Sequence, residues 1–255
     1  MVMLSSYSGT VLVGLSAAAF LAGFVDSIAG GGGIINIPAL MLAGLPPHEV
    51  LGTNKLAGTF GTLNAGRVFW KKQILKPHAW WPGILMMFVG SIMGVLTTFL
   101  VSPDYLKKML PWLILLVAAY FASPYSVRKT QGRAITQPSF IKTGILGLVM
   151  GFYDGFFGPG TGAILTALGM VLFHLPIMKS MAMARFFNAS SNIAGVIVFA
   201  LFGKVYFVIG LCMALANVLG GQLGAHSAVK WGTQFIRYFF IVIVLGVVIR
   251  LLMTS

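Results

Sequence analysis

Two aspartates stand in surroundings where a carboxylate is costly. Asp26 and Asp154 each follow an apolar run and precede a glycine-rich stretch, in GFVDSIAGGGG and GFYDGFFGPGTG, and the whole sequence has four acidic residues. A carboxylate inside a bilayer usually faces a partner or a cavity and marks a functional site, where it can carry a proton. Aspartate is also a common helix cap. The sequence leaves open whether Asp26 and Asp154 titrate during function or only cap the helix that follows.

The glycines after each aspartate predict a break in a membrane helix. Gly30 and Gly32 follow Asp26, and Gly158 and Gly160 follow Asp154 at the same spacing. Irregular backbone at membrane depth is tolerated where it is buried in protein or lines a cavity. The N-terminus of the helix after each break offers free N–H groups and a positive partial charge, which together suit an anion. The alternative interpretation is close helix packing through small residues.

Basic and amide side chains follow both breaks. Lys55 with Asn54, and Arg185 with Asn188 and Asn192, lie a few residues into the next apolar segment of each half. Residues three or four apart share a helix face, so Arg185, Asn188 and Asn192 lie on one side. A cation, amides and two helix N-termini are suitable groups for holding an oxyanion. The alternative is that both cations snorkel to a membrane interface.

The composition requires a membrane to surround these elements. Of 255 residues, 58% are hydrophobic and 8% are charged, whereas a soluble domain has about 25% charged residues. The formal charge of +13 comes from basic residues in short links between apolar runs, which is typical of the positive-inside rule and not of a nucleic-acid-binding surface. We therefore predict a multi-pass, all-α integral membrane protein that binds no nucleic acid.

Other chemistries find little support. The single cysteine, Cys212, lies in an apolar run, and four scattered histidines show no metal-ligand spacing. No serine–histidine–acid arrangement is evident. The sequence therefore predicts no enzyme, no cofactor and no metal site.

Ten apolar segments can be marked, and the second of each five is too short for an ordinary span. They cover roughly 10–29, 33–45, 50–70, 82–101 and 106–122, then 140–157, 161–174, 180–202, 205–228 and 235–253. The segments 33–45 and 161–174 are either short crossings or re-entrant helices, and the sequence does not decide between them. We predict 8–10 membrane helices.

The two halves are related by duplication. Gly23 and Asp26 correspond to Gly151 and Asp154 at an offset of 128 residues, and Lys55 corresponds to Arg185 at an offset of 130. Matches that keep the same order, with a single change of offset by two residues, are hard to obtain by chance. We predict one membrane domain with repeat one at 10–122, a connecting loop at 123–139 and repeat two at 140–253. Five crossings per repeat would invert the second copy and place most loop cations on one side, a pattern found in secondary transporters.

These motifs resemble the TauE/SafE family of sulfite exporter permeases. The resemblance rests on GFVDSIAGGGGIINIPAL and LPPHEVLGTNKLAG in the first half, and on GFYDGFFGPGTGA and LPIMKSMAMARFFNASSNIAG in the second. It implies a bacterial inner-membrane permease for small sulfur-containing anions such as sulfite, thiosulfate or organosulfonates. The matching positions are Asp26, Gly30, Gly32, Asn54 and Lys55, then Asp154, Gly158, Gly160, Arg185, Asn188 and Asn192. Ala184 stands where Asn54 would predict a second amide, so the two halves of the site need not be equivalent.

The sequence thus predicts a secondary active anion permease, with the substrate between the short-helix N-termini and proton coupling through Asp26 or Asp154. Alternatives are a passive anion channel and a proton-coupled carrier of a different organic anion. The expected partners are a small anion and the lipid bilayer. The oligomeric state is open between monomer and homodimer, as are the exact substrate, the transport direction and the coupling ion.

Overall fold

The computed structural model describes residues 9–106, 108, 109, 112 and 138–227, and their regular secondary structure is helical throughout. The predicted segments 106–122 and 235–253 and the loop 123–139 lie largely outside the described residues. The α-helices are α1 (Gly9–Ala29), α2 (Gly32–Leu42), α3 (Pro47–Lys71), α4 (Trp81–Thr98), α5 (Phe140–Phe156), α6 (Thr161–Phe173), α7 (Ile177–Leu201) and α8 (Phe207–Ser227), with a 3-10 turn at Pro77–Trp80.

Four helical stretches in the described part are long and apolar enough to cross a bilayer. They are Gly9–Ile28, Pro77–Thr98, Ile177–Leu201 and Phe207–Ser227. α3 is also 25 residues long, but it carries more polar side chains. The outer face of α8 is apolar, as expected of a helix that faces lipid, because leucines repeat every fourth residue and are all exposed, namely Leu211, Leu215, Leu219 and Leu223. The chain is thus a multi-pass helical membrane protein, as predicted.

The two short segments are distinct helices. α2 has 11 residues and α6 has 13, too few to cross the ~30 Å hydrocarbon core unless the bilayer is thinned around them. Each is followed by a proline in extended conformation, Pro46 with φ −63° and ψ 153° and Pro176 with φ −56° and ψ 148°. Proline fixes φ and cannot continue the preceding helix's hydrogen bonds, so the chain turns there into the long helices α3 and α7.

Small residues bring two pairs of helices into backbone contact. α5 packs on α4, where a Cβ at Gly151 would overlap the carbonyl oxygen of Met87. α1 packs on α8, where a Cβ at Gly23 would overlap the carbonyl oxygen of Asn217. The same relation holds for three further glycines, each against a carbonyl oxygen: Gly90 at Leu148, Gly220 at Phe20, and Gly224 at Phe24. Such glycine seams let helices approach closely in lipid, where no hydrophobic effect drives them together.

α3 and α7 cross in opposite directions. Gly52 near the start of α3 lies against Phe199 near the end of α7, whereas Gly66 near the end of α3 lies against Phe186 near the start of α7. The two helices are therefore antiparallel. They carry Lys55 and Arg185, so this crossing sets the position of both cations.

Candidate functional site

The first helix break is fixed by Asp26. Gly30 has φ +80°, a left-handed conformation that glycine adopts without steric cost, and its N–H donates to the Asp26 carbonyl oxygen at 2.8 Å. The N–H of Gly32, the first residue of α2, donates to Asp26 Oδ1 at 3.1 Å. Asp26 thus accepts a hydrogen bond from the first turn of the short helix α2.

The second break repeats this arrangement with a side-chain donor. Gly158 and Gly160 have φ +97° and +77°. The Thr161 hydroxyl, at the first residue of α6, donates to Asp154 Oδ1 at 2.7 Å, and the Tyr153 hydroxyl donates to the Pro159 carbonyl oxygen at 2.8 Å. Asp154 thus contacts the start of the second short helix.

The two breaks lie against each other. A Cβ at Gly30 would overlap the backbone of Gly162 and Ala163, and one at Gly33 would lie 3.3 Å from Pro159 Cα. Sequence positions about 130 residues apart thereby meet in one place, and the N-terminal ends of α2 and α6 come together.

Two buried ion pairs cross between the halves. Lys55 Nζ contacts Asp154 Oδ2 at 2.6 Å, with the two side chains 3% and 2% exposed. Arg185 Nη1 contacts Asp26 Oδ2 at 2.6 Å, with the side chains 2% and 14% exposed. Each cation therefore binds the aspartate of the opposite half. Burial of a single charge is very costly, so each pair depends on both of its members.

A polar cavity of about 30 Å³ lies at this junction. That volume holds about two water-sized groups, less than a four-atom anion such as sulfite needs, so the cavity would have to widen to admit one. All of the predicted site residues line it except Arg185, whose guanidinium lies behind Asp26 and against Gly162. The lining residues are Asp26, Gly30, Gly32, Gly33, Asn36, Asn54, Lys55, Gly58, Thr62, Asp154, Gly158, Gly160, Asn188, Asn192 and Asn217.

Five polar or small residues of this lining were not among the predicted site residues, namely Gly33, Asn36, Gly58, Thr62 and Asn217. Asn36 is buried and its Oδ1 has no hydrogen-bond partner in the described part of the chain. Asn192 Nδ2 makes one long contact, 3.5 Å to Thr62 Oγ1. An amide inside an apolar helix, as at Asn36 and Asn217, was the signal that could have found them.

We expect Gly30→Ala to lower the free energy of unfolding by about 2–4 kcal/mol. The left-handed φ costs an L-residue about 1 kcal/mol, and the overlap with Gly162 adds the ~1–3 kcal/mol typical of overpacking. Chemical denaturation in detergent measures the change.

Gly44→Ala is the matched control for that substitution. Gly44 has φ +84°, but a Cβ added there would have no heavy atom within 4 Å, so it should lose only the ~1 kcal/mol of backbone strain. Equal losses at the two positions would show that the two breaks do not pack closely against each other.

Helices of membrane-crossing length around a buried polar cavity define a protein of the membrane-transporter class. The family model described as "Sulfite exporter TauE/SafE" matches residues 15–251. The chain belongs to this family, which is a family of transporters and not of enzymes. In the described part of the chain, no cluster of metal-ligating side chains is present.

Similar proteins carry the same kind of name. "Probable membrane transporter protein ORF9" of Sinorhizobium sp is 38% identical over 242 residues, which cover 95% of this chain and 92% of the relative. "Probable membrane transporter protein YfcA" of Escherichia coli is 37% identical over 226 residues, covering 88% and 83%. A "Probable membrane transporter protein" of Haemophilus influenzae is 37% identical over 219 residues, covering 86% and 85%. No solved structure matches the chain significantly.

Proposed function

We propose that this transporter moves small sulfur-containing anions, such as sulfite, thiosulfate or organosulfonates, through the cavity at the two helix breaks. The observation that carries the proposal is the Lys55–Asp154 pair, 2.6 Å long and lining a cavity rich in amides between two helix N-termini. Amide N–H groups, helix N-termini and an ammonium group all stabilise an oxyanion. The substrate class itself follows the description of the family as a sulfite exporter.

The mechanism we propose is alternating access by two inverted repeats, 10–122 and 140–253, joined by the loop 123–139. Three matched features support it. The glycine seams of α5 on α4 and of α1 on α8 use residues at corresponding repeat positions. Each ion pair joins the cation of one repeat to the aspartate of the other. The corresponding helices α3 and α7 run antiparallel. An axis in the membrane plane would relate the halves in this way, and rocking of one against the other would open the site to alternate sides.

A carrier is favoured over a passive channel because the cavity, at about 30 Å³, must widen before an anion can enter. Both cations are also engaged by aspartates, so an entering anion must compete with a carboxylate. Release of a carboxylate on protonation would couple anion movement to protons. A carrier for a different organic anion would use the same contacts. We propose that the protein lies in the bacterial inner membrane.

The proposal is tested by uptake of labelled sulfite, thiosulfate, methanesulfonate, sulfate and taurine into proteoliposomes at two pH values. We expect saturable uptake of at least one sulfur anion, faster at acidic external pH, and accumulation above the external concentration when a proton gradient is imposed. Protein-free liposomes give the background. Uptake that only equilibrates, without accumulation, would instead favour a channel. No uptake of any of these anions by folded protein would contradict the proposal.

A further inference from the structure

The two ion pairs differ in their access to the cavity, although the sequence makes them equivalent. Lys55 and Asp154 both line the cavity, whereas of the second pair only Asp26 does. The Arg185 side chain packs against the backbone of Gly162, where a Cβ would overlap its Nη2. Even if Asp26 released it, Arg185 would not present its charge to the cavity in this arrangement. Among the residues that the structure describes, Lys55 is thus the cation available to a ligand there.

The charges of the described residues around the cavity sum to zero. Lys55 balances Asp154, and Arg185 balances Asp26. The other helices that contribute to the lining add only neutral groups in the described residues, because α2 and α6 contain no ionisable side chain and α8 contributes Asn217. Tyr153, next to Asp154 on α5, is already bonded to the Pro159 carbonyl oxygen. A net charge in such a buried site is strongly unfavourable, so an added anion needs an added positive charge.

We infer that the site takes one singly charged anion together with one proton, with the proton on Asp154 and the Arg185–Asp26 pair kept intact. This inference rests on the proposed function. Protonation neutralises the Asp154 carboxylate and breaks its ionic contact, and the Lys55 ammonium then binds the anion. The site is neutral before and after this exchange. Asp154 keeps a neutral partner in the Thr161 hydroxyl, 2.7 Å from Oδ1.

The same balance of charges in the site excludes a doubly charged anion as a good substrate. A dianion with one proton leaves a net negative charge in the site. A second proton on Asp26 would release Arg185, which does not line the cavity. Among the anions of the proposed function, the site therefore selects hydrogen sulfite and singly charged sulfonates over thiosulfate and sulfate.

The test is charge stoichiometry in proteoliposomes, with methanesulfonate as the singly charged probe and thiosulfate and sulfate as the doubly charged probes. Methanesulfonate should accumulate about tenfold per unit of imposed pH gradient, as one proton per anion requires. A clamped membrane potential should not change that ratio. Uptake of the two dianions should be about tenfold slower or less. Methanesulfonate accumulation that follows the voltage, or equally fast thiosulfate uptake, would overturn the inference while leaving the proposed function in place.

Asp154→Asn tests the residue. The variant should still exchange methanesulfonate between the two sides but should lose accumulation driven by the pH gradient. Methanesulfonate should also raise its melting temperature more than that of the wild-type protein, since Lys55 then has no competing carboxylate. Glu49→Gln is the matched control. Glu49 forms an ion pair with Lys204, 3.0 Å between Oε1 and Nζ, and neither residue lines the cavity. The Glu49→Gln variant should therefore keep full proton coupling. Accumulation retained by Asp154→Asn would overturn the assignment, and a wild-type protein that moves no anion would overturn the proposed function as well.

Discussion

Replacing Arg185 with methionine is expected to lower the free energy of unfolding by about 3–5 kcal/mol, the usual result of removing one member of a buried ion pair. Arg185 is among the largest fully buried side chains. Its loss leaves the Asp26 carboxylate with the Gly32 N–H as its hydrogen-bond donor in the described part of the chain, and a carboxylate without its cation in this interior is unstable. The loss should be visible as a lower melting temperature and a lower denaturant midpoint in detergent.

Two variants determine the cause of that loss. The double variant Arg185→Met/Asp26→Asn removes the uncompensated charge together with its partner and should recover most of the lost stability. Lys204→Met removes a cation from the Lys204–Glu49 pair, in which Lys204 is 38% exposed, and should change stability by less than about 1 kcal/mol. If the double variant is as unstable as Arg185→Met, packing and not charge explains the role of Arg185.

The membrane class, the short second helices and the positions of the breaks could be predicted from the sequence. These features depend on the length and composition of single segments, not on contacts between distant residues. An apolar segment of 11 or 13 residues between glycines and a proline is too short for an ordinary span and forms a short helix. Family membership also followed from local motifs, Asp26 and Asp154 with their glycines above all, and the family match over residues 15–251 confirms it.

The pairing of the charges could not be predicted. Lys55 and Asp154 are 99 residues apart, and Arg185 and Asp26 are 159 apart, so their contacts depend on how the two halves cross. From their repeat positions, the lysine and the arginine were both predicted to bind the substrate. The structure places Lys55 in the cavity lining and Arg185 outside that lining. Gly162 has no side chain, which leaves room for the Arg185 guanidinium beside the contact between the two helix breaks.

The missed lining residues have a similar explanation. Gly58 occupies the repeat position of Asn188, and its missing side chain leaves space for the Asn192 amide, 3.1 Å from where a Cβ would lie. A cavity formed by an absent side chain has no signal in composition or spacing. The corresponding repeat positions pointed to the residues that line the cavity, but they carry no information on which of the two cations faces it.

Binding of the transported anion by Lys55 is the central claim, and Lys55→Gln tests it. The substitution removes the cation that lines the cavity in the described part of the chain, and loss of a buried charged contact of 2–5 kcal/mol predicts a decrease in initial uptake rate of about 30-fold or more. Because Lys55→Gln leaves Asp154 uncompensated, the double variant Lys55→Gln/Asp154→Asn serves as a folded comparison. It should regain thermal stability and still not transport.

The most direct measurement is therefore the initial rate of methanesulfonate uptake into matched proteoliposomes, with Lys204→Gln as the control lysine outside the cavity. We expect uptake within about twofold of the wild-type rate for Lys204→Gln, as for an exposed pair, and background uptake for both Lys55 variants. Wild-type uptake by the stable double variant Lys55→Gln/Asp154→Asn would contradict the central claim.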